Sequence, residues 1–266
     1  MGRVSPGLIT LFGLAAIALA LIAVLLLPPP GIRSAARRLV PPNTLISSEL
    51  NLGDLIGMSG TTTQSLVSVA DSCRDRFRLG RSAIVGSGIS SWSAGTLFGG
   101  VRSGTTMPYT SEGFVILVRE KTELLIVVAS RATNETATHI EIFCERKRKP
   151  RMIGTTGTAS RFTPPEGIAG SSTSSPLTYS GIFQSSLPFT NITAHYLTTL
   201  LKTTAQTATN GTLKATGNGM LSVPKRIDAE SATFLARSGT NETVLIHCFR
   251  SATSTQTHVL VGCASK

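Results

Sequence analysis

The hydrophobic positions of this chain form one long N-terminal run and several short runs further on. Residues 7–27 (GLITLFGLAAIALALIAVLLL) contain no charged side chain, and three prolines follow them. A helix of this length spans the ~30 Å hydrocarbon layer of a bilayer, and proline ends a helix. The pattern predicts an N-terminal transmembrane anchor over residues 1–30 and a short stalk over residues 31–44, with a cleaved export signal as the alternative.

Two sequence signals predict opposite sides of the membrane for the body that follows this run. Arg33, Arg37 and Arg38 follow the run, so the positive-inside rule favours a cytoplasmic body. Four Asn-X-Thr sequons indicate export instead, and we predict a single-pass protein with an extracytoplasmic body, at the cell surface or in a periplasm. The candidate glycosylation sites are Asn134, Asn191, Asn210 and Asn241.

The rest of the chain repeats one pattern twice. Three glycines of the first copy align with three of the second: Gly80 with Gly211, Gly86 with Gly217 and Gly88 with Gly219. Further on, residues 138–144 (THIEIFC) align with residues 257–263 (THVLVGC). Self-similarity of this kind indicates an internal duplication.

Each copy reads as one helix followed by three strands. The helical stripes are Leu66, Val69, Ala70, Cys73 and Phe77 in the first copy, and Leu197, Leu200, Leu201 and Thr204 in the second. The predicted strands are 113–119, 123–130 and 138–145, then 232–237, 243–250 and 257–263. Short turns force neighbouring strands to run antiparallel, so each copy forms a meander that its helix covers.

The predicted fold class is therefore α+β: a transmembrane helix followed by two tandem, duplicated small domains, each a helix packed on an antiparallel β-meander. The first copy covers residues 45–151, the second covers 177–266, and a Ser/Thr/Pro-rich linker over 152–176 joins them. Residues 124–128 (LLIVV) are apolar on both strand faces. This indicates a central strand covered on both sides, by a second layer or by the partner copy.

The formal charge of +11 favours anionic partners, such as lipid head groups or an anionic polymer. Two basic clusters are the candidate sites: Arg74, Arg76, Arg78 and Arg81, and then Arg146, Lys147, Arg148, Lys149 and Arg151. Aromatic residues make up only 5%, which argues against stacking of single-stranded nucleic acid without excluding it. The alternative interpretation is a pair of solvated boundary segments.

Cysteine and histidine supply the remaining candidates. Cys73 and Cys144 fall on the apolar faces of the helix and the last strand of one copy, so we predict a disulfide between them in an oxidising compartment. Four buried thiols are the alternative. His139 and His258 recur at matching, outward-facing strand positions. They are a candidate duplicated site, although a structural role at the turn is the favoured interpretation.

No recognised catalytic pattern is present, so we predict no catalytic residues, no cofactor and no metal site. We expect a membrane-anchored, extracytoplasmic protein with a binding or surface-assembly role rather than an enzyme. Its other partner would be another protein or a second copy of itself. Two alternatives stay open: an envelope protein that handles polyanions or nucleic acid, and a hydrolase with its site between the two domains.

Overall fold

The computed structural model describes residues 31–77, 91–97, 106–108, 111–119, 123–132, 134–146, 161–175, 178–203, 213–238 and 242–265. These residues form two seven-stranded sheets with few helices, and nearly every strand pair is antiparallel. The mixed α+β architecture expected from the sequence is thus confirmed. The predicted anchor over residues 1–30 lies outside the described residues, and within them no helix is long and apolar enough to cross a bilayer.

The first unit is built on sheet A. Its elements are α1 (Ile32–Leu39), β1 (Thr44–Asn51), β2 (Leu55–Thr62), α2 (Leu66–Phe77), β3 (Ser91–Leu97), β4 (Thr106–Pro108), β5 (Ser111–Arg119), β6 (Glu123–Ala132) and β7 (Thr138–Arg146). The strand order is β1-β2-β7-β6-β5-β3-β4. Only the β3–β5 pair is parallel among the described strands of this sheet.

The second unit is built on sheet B. Its elements are β8 (Gly167–Ser175), β9 (Thr178–Ser185), α3 (Phe189–Thr199), β10 (Leu213–Thr216), β11 (Gly219–Ser222), β12 (Ala229–Ser238), β13 (Glu242–Ser251) and β14 (Thr257–Ser265). The strand order is β10-β11-β12-β13-β14-β9-β8. Both predicted meanders, β5-β6-β7 and β12-β13-β14, are present with the expected antiparallel pairing.

Each meander is extended by a hairpin that the sequence patterns did not reveal. The β1–β2 hairpin adds beside β7, and the β8–β9 hairpin adds beside β14, so the two units share a chain order of hairpin, helix and meander. They differ at the opposite edge, where β3 runs parallel to β5 but β11 runs antiparallel to β12.

Two segments predicted as connections are regular structure. Residues 32–39, within the predicted stalk, form α1, because Ile32, Ala35, Ala36 and Leu39 lie on one helical face and are buried against sheet A. Residues 167–175, within the predicted linker, form β8 and pair with β9. Its composition of Gly, Ala and Ser hides the alternation that identifies a strand, and backbone pairing alone decides its structure.

The helices cover one face of each sheet. In the first unit, Leu66, Val69, Ala70 and Cys73 of α2 share a core with the inward residues of β6 and β7, as the helical spacing predicted. In the second unit, α3 begins earlier than its predicted stripe and buries Phe189, Ile192, Tyr196 and Leu197. The hydroxyl of Tyr196 donates a hydrogen bond of 2.9 Å to the carbonyl oxygen of Phe162.

The other faces of the two sheets pack against each other. Leu55, Leu124, Ile126, Val128 and Phe143 of sheet A form one buried cluster with Met220, Leu235, Leu245 and Leu260 of sheet B. This contact explains why residues 124–128 are apolar on both faces, since α2 lies on one side and the second unit on the other. The back-to-back contact of the sheets also determines where the candidate functional site lies.

Candidate functional site

The outward face of β7 crosses this contact from one end to the other. It presents His139, Glu141, Phe143 and Glu145 in succession, and all four side chains are buried. Phe143 belongs to the apolar centre of the contact. The contact is therefore polar at both ends, and each end joins the first unit to the second.

The end at His139 contains a group of polar side chains that we call the polar seam. The seam comprises Ser130, Glu135, His139, Glu141, Ser222, Arg226, Thr233 and His247, all of them largely buried side chains. The first four belong to the first unit and the others to the second. Because unpaired polar groups are costly in such a place, the pairing within the seam decides its energetics.

Arg226 enters the seam from the loop between β11 and β12. Its Nε and Nη2 atoms donate to the two carboxylate oxygens of Glu135 at 3.1 and 2.5 Å, and its Nη1 atom donates to Ser130 Oγ at 2.8 Å. The guanidinium also lies 5.0 Å from the centre of the Phe249 ring. The arginine of one unit is thus held in a bidentate pair by the other.

Glu135 is the anion that balances Arg226. Burial by itself raises the pKa of this carboxyl, but hydrogen bonds from His139, Arg226 and the backbone N–H of Ala132 outweigh burial and lower its pKa. His139 Nε2 lies 3.5 Å from Glu135 Oε1. His139 is therefore oriented by a carboxylate that stays ionised at neutral pH.

Glu141 is in the opposite electrostatic situation. Burial raises its pKa to about 7, although hydroxyl hydrogen bonds from Thr233 and Ser222 and the charge of Arg226 oppose that rise. Ser222 Oγ lies 3.2 Å from Glu141 Oε1. The two glutamates of the seam therefore differ in charge at neutral pH: Glu135 is ionised, whereas Glu141 is close to half protonated.

Thr233 links Glu141 to His247. Its hydroxyl contacts Glu141 Oε2 and also lies 2.8 Å from His247 Nδ1. Burial, together with the charge of Arg226, lowers the pKa of His247 to about 3, so this imidazole is neutral at physiological pH. A carboxyl, a hydroxyl and a neutral imidazole in contact form a path along which a proton can be shared.

A cleft opens at the edge of the seam, between the two units. Its volume is about 170 Å³, enough for several waters or a small ligand. The polar groups on its walls are Ser47, Ser48, Ser59, Thr61, His139 and Ser222, with the exposed Lys225 at the rim. Ser222 belongs to both places, since it lines the cleft and contacts Glu141.

The far end of the contact has its own ion pairs. Arg237 of β12 lies 3.0 Å from Glu145 Oε1 through Nε and 2.9 Å from Asp54 Oδ2 through Nη2. Thr243 donates to the other oxygen of Glu145 at 2.5 Å. At both ends, an arginine of the second unit pairs with a glutamate of the first.

The two predicted histidines are buried rather than exposed. His139 reaches both the cleft and the seam, whereas His258 lies in sheet B opposite Phe249 and Gln184, where burial lowers its pKa to about 4. Their positions on the face opposite the helix were predicted correctly, but that face is covered by the other unit. The proposed duplicated site stays a prediction.

Glu141, the carboxyl of the seam whose pKa is raised by burial, was not predicted from the sequence. A signal for it was present in the repeat, because Glu141 occupies the position that is Leu260 in the second copy. A charged residue at a position that is apolar in the duplicate marks a place where the two copies have diverged. Arg226 carries no comparable signal, since it lies in a loop between strands.

Most of the predicted basic sites lie outside the described residues, namely Arg78, Arg81, Lys147, Arg148, Lys149 and Arg151, together with the side chain of Arg74. Arg146 is exposed at the end of β7, and Arg76 donates to backbone carbonyl oxygens near the end of α1. Binding of an anionic partner by these clusters stays a prediction.

All four cysteines are buried, and the structure shows them as thiols rather than as disulfides. Cys73 and Cys144 lie in the same core cluster, and burial raises the pKa of the Cys73 thiol to about 12. Both cysteines of the predicted disulfide thus lie in one core, and the disulfide itself stays a prediction.

Of the sequons, Asn134 and Asn191 are exposed, while Asn210 and Asn241 lie outside the described residues.

The described residues contain no group of three or more His, Cys, Asp or Glu side chains placed to hold a metal ion.

The chain was also compared with known protein families, curated proteins and solved structures. No protein family and no curated protein matches the chain. Several solved structures align over most of its length but superpose poorly.

Three of those structures illustrate the result. A bifunctional dehydratase-cyclase domain in ambruticin biosynthesis is 10% identical over 83% of this chain and 94% of its own, with a TM-score of 0.16. The acyl-CoA thioesterase II TesB2 from Mycobacterium marinum is 12% identical over 87% and 97%, with a TM-score of 0.16. A conserved protein of unknown function with a hot dog fold from Alicyclobacillus acidocaldarius is 7% identical over 83% and 96%, with a TM-score of 0.14. Likenesses this small support no conclusion about fold or function.

Proposed function

We propose that the protein is a membrane-anchored, extracytoplasmic binding protein, and that its ligand occupies the cleft between the two units. The observation that carries this proposal is a cleft whose walls come from both units and present hydroxyl and imidazole groups: His139 and Ser59 from one, Ser222 from the other. The ion pairs of the polar seam hold these walls together. A cleft preformed in this way loses little free energy to reorganisation when a ligand binds.

The walls favour a small ligand rich in hydroxyl groups. Serine and threonine hydroxyls both donate and accept hydrogen bonds, so they match ligand groups that do the same. The guanidinium of Arg226 is already paired with Glu135, which leaves Lys225 as the cation at the rim of the cleft. A monosaccharide, or a sugar acid whose carboxylate faces Lys225, has this chemistry.

The test is a thermal-unfolding screen of the full chain in detergent against a panel of monosaccharides and their uronic acids. A ligand at a hundred times its Kd stabilises the folded state by about 2.7 kcal/mol, which gives a measurable rise in Tm. The Ser222→Ala and His139→Gln variants should lose that rise.

Ser254→Ala is the matched control, because Ser254 is a serine in the turn between β13 and β14, away from the cleft lining. This variant should respond to ligand as the unmodified chain does. A Tm rise that survives both cleft substitutions would place the ligand elsewhere. A panel without any effect on the unmodified chain would reject hydroxyl-rich ligands of this size.

Glu141 favours a second candidate function, acid–base catalysis in the same cleft, as in a hydrolase. Its pKa near neutrality suits a residue that gives and takes protons, and Ser222 lies between its carboxyl group and the cleft. The ester p-nitrophenyl acetate is the simplest probe. Hydrolysis lost in Glu141→Gln and His139→Ala, but kept in Ser254→Ala, would support this candidate, and hydrolysis unaffected by both would dismiss it.

A further inference from the structure

A second cavity lies on the opposite side of sheet A from the cleft, where α1 ends beside α2. Its volume is about 470 Å³, and its walls include Arg37, Arg38 and Arg76 together with the apolar Leu39 and Leu125. We call it the basic pocket. All three arginines are exposed, and only one of the three belongs to the clusters that the sequence patterns singled out.

The charge in this pocket is only partly balanced. Arg37 shares Glu49 with Arg33, at 3.0 and 2.6 Å. Arg76 donates from Nη1 to the carbonyl oxygens of Arg38 and Val40, the latter at 2.7 Å, and so closes the end of α1. Among the described residues, no carboxylate forms an ion pair with Arg38 or Arg76. The pocket therefore offers guanidinium donors to an anion, and a phosphate is the anion that such forked donors fit best.

The position of the pocket along the chain identifies the source of that phosphate. The apolar run of the predicted anchor ends at Leu27, and α1 begins at Ile32. The intervening chain spans at most about 18 Å even when fully extended, and α1 itself is about 12 Å long. The pocket at the end of α1 is thus within reach of lipid head groups when α1 lies along the membrane surface, and the exposed Arg33 and Arg37 favour that orientation at an anionic surface.

We propose that the basic pocket binds the phosphate of an anionic phospholipid in the membrane to which the chain is anchored, and so fixes the orientation of the body on that membrane. This proposal rests on the proposed anchor. It adds a second, specific contact with the bilayer, made by residues that fold with sheet A. Arg38 supplies a guanidinium that has no carboxylate partner within the described part of the chain, while Arg76 shapes the pocket by holding the end of α1.

The experiment uses the full chain with a Ser34→Cys reporter in nanodiscs, and it measures the rate of maleimide labelling. Ser34 is exposed on α1, and the four native cysteines are buried, so labelling reports on the membrane-facing helix. Labelling should be several-fold slower in phosphatidylcholine discs that contain phosphatidylglycerol than in phosphatidylcholine discs alone. Arg38→Gln should weaken this protection about fivefold, and added salt should weaken it too.

Lys202→Gln is the matched control, since it removes an exposed cation of the second unit and should leave the protection unchanged. Equal labelling rates in both kinds of disc would overturn the pocket while leaving the anchor intact. Failure of the chain to enter discs of either composition would overturn the anchor and, with it, the pocket. Equal protection by inorganic phosphate in neutral discs would make the pocket a small-anion site and overturn the lipid proposal.

Discussion

At the scale of single residues, Glu141 is the most informative side chain. It is a carboxyl buried on the outward face of a strand, and it faces two hydroxyls of the other unit rather than a cation. Glu135, in the same seam, pairs with the cation Arg226, and the pKa of its carboxyl is lowered. Two glutamates in one seam thus carry different average charges, because the environment of each decides its protonation.

The raised pKa of Glu141 predicts a specific dependence of stability on pH. The pKa rises from 4.5 in the unfolded chain to about 7 in the folded protein, so the neutral carboxyl favours folding. Its stabilising contribution is complete below pH 4.5 and is lost as the pH rises through 7. The total is about 3 kcal/mol.

The Glu141→Gln variant should therefore gain unfolding free energy relative to the unmodified chain as the pH rises from about 5 to 7, by about 3 kcal/mol in total. Urea unfolding of both proteins at a series of pH values measures this difference. Glu230→Gln, which alters an exposed carboxyl of the second unit, is the control. A flat difference for Glu141→Gln would show that its carboxyl is not desolvated.

At the scale of elements, the Gly217-Asn218-Gly219 turn of the second unit leaves space for a Cβ at one of its glycines but not at the other. Gly219 begins β11, and an added Cβ there would overlap the carbonyl oxygen of Leu235 and approach Ala236 Cα to 2.8 Å on β12. An added Cβ on Gly217 would meet no atom within 4 Å. The first glycine belongs to a turn, whereas the second allows two strands to pair closely.

Gly219→Ala should accordingly destabilise the protein by about 1–3 kcal/mol, since the backbone of β12 has to move to make room. Gly217→Ala, two residues away in the same turn, should change the unfolding free energy by much less. Chemical unfolding of the two variants side by side decides the matter. Equal losses in both would mean that turn flexibility, not strand contact, requires glycine here.

At the scale of the whole molecule, the contact between the sheets is held by an arginine at each end and apolar residues between them. Arg226 is the more buried of the two arginines, with its side chain fully enclosed, whereas the Arg237 side chain remains partly exposed. Removal of Arg226 would leave Glu135 charged and buried without its main partner, which is the costly way to break a buried pair.

Arg226→Met should cost about 3–5 kcal/mol of stability. Arg161→Met removes an arginine from the exposed pair with Glu242 and should cost less than about 1 kcal/mol. The double variant Arg226→Met/Glu135→Leu should recover most of the loss, because no uncompensated charge remains. A small cost for Arg226→Met alone would indicate that water reaches Glu135 and that the units are less tightly joined.

The sequence predicted elements well wherever the hydrophobic pattern was periodic. The meander strands and α2 agree with their predicted positions, and Ile140, Ile142 and Cys144 face the helix as their alternation required. The prediction failed for α1 and β8. Two of the four buried residues of α1 are alanines, and β8 is built mostly from Gly, Ala and Ser, so neither carries a strong periodic signal.

The candidate site was harder to predict because its partners are far apart in the chain. Ser222 lies 81 residues beyond Glu141, and Thr233 lies 92 residues beyond it. No local spacing connects them, and each alone looks like an ordinary strand residue. His139 was noticed through its repeat in His258, but the repeat could not show that the other unit covers it.

The amino-acid sequence by itself determined the antiparallel meanders and the faces that the helices cover, because these depend on side-chain periodicity and short turns. The tertiary structure alone decided that the two sheets pack back to back. That packing brings Arg226 onto Glu135 and leaves Glu141 among hydroxyls at the edge of a cleft. Burial and charge pairing across units depend on long-range contact, so the environments of Glu141 and His139 exist only once both units have folded and docked.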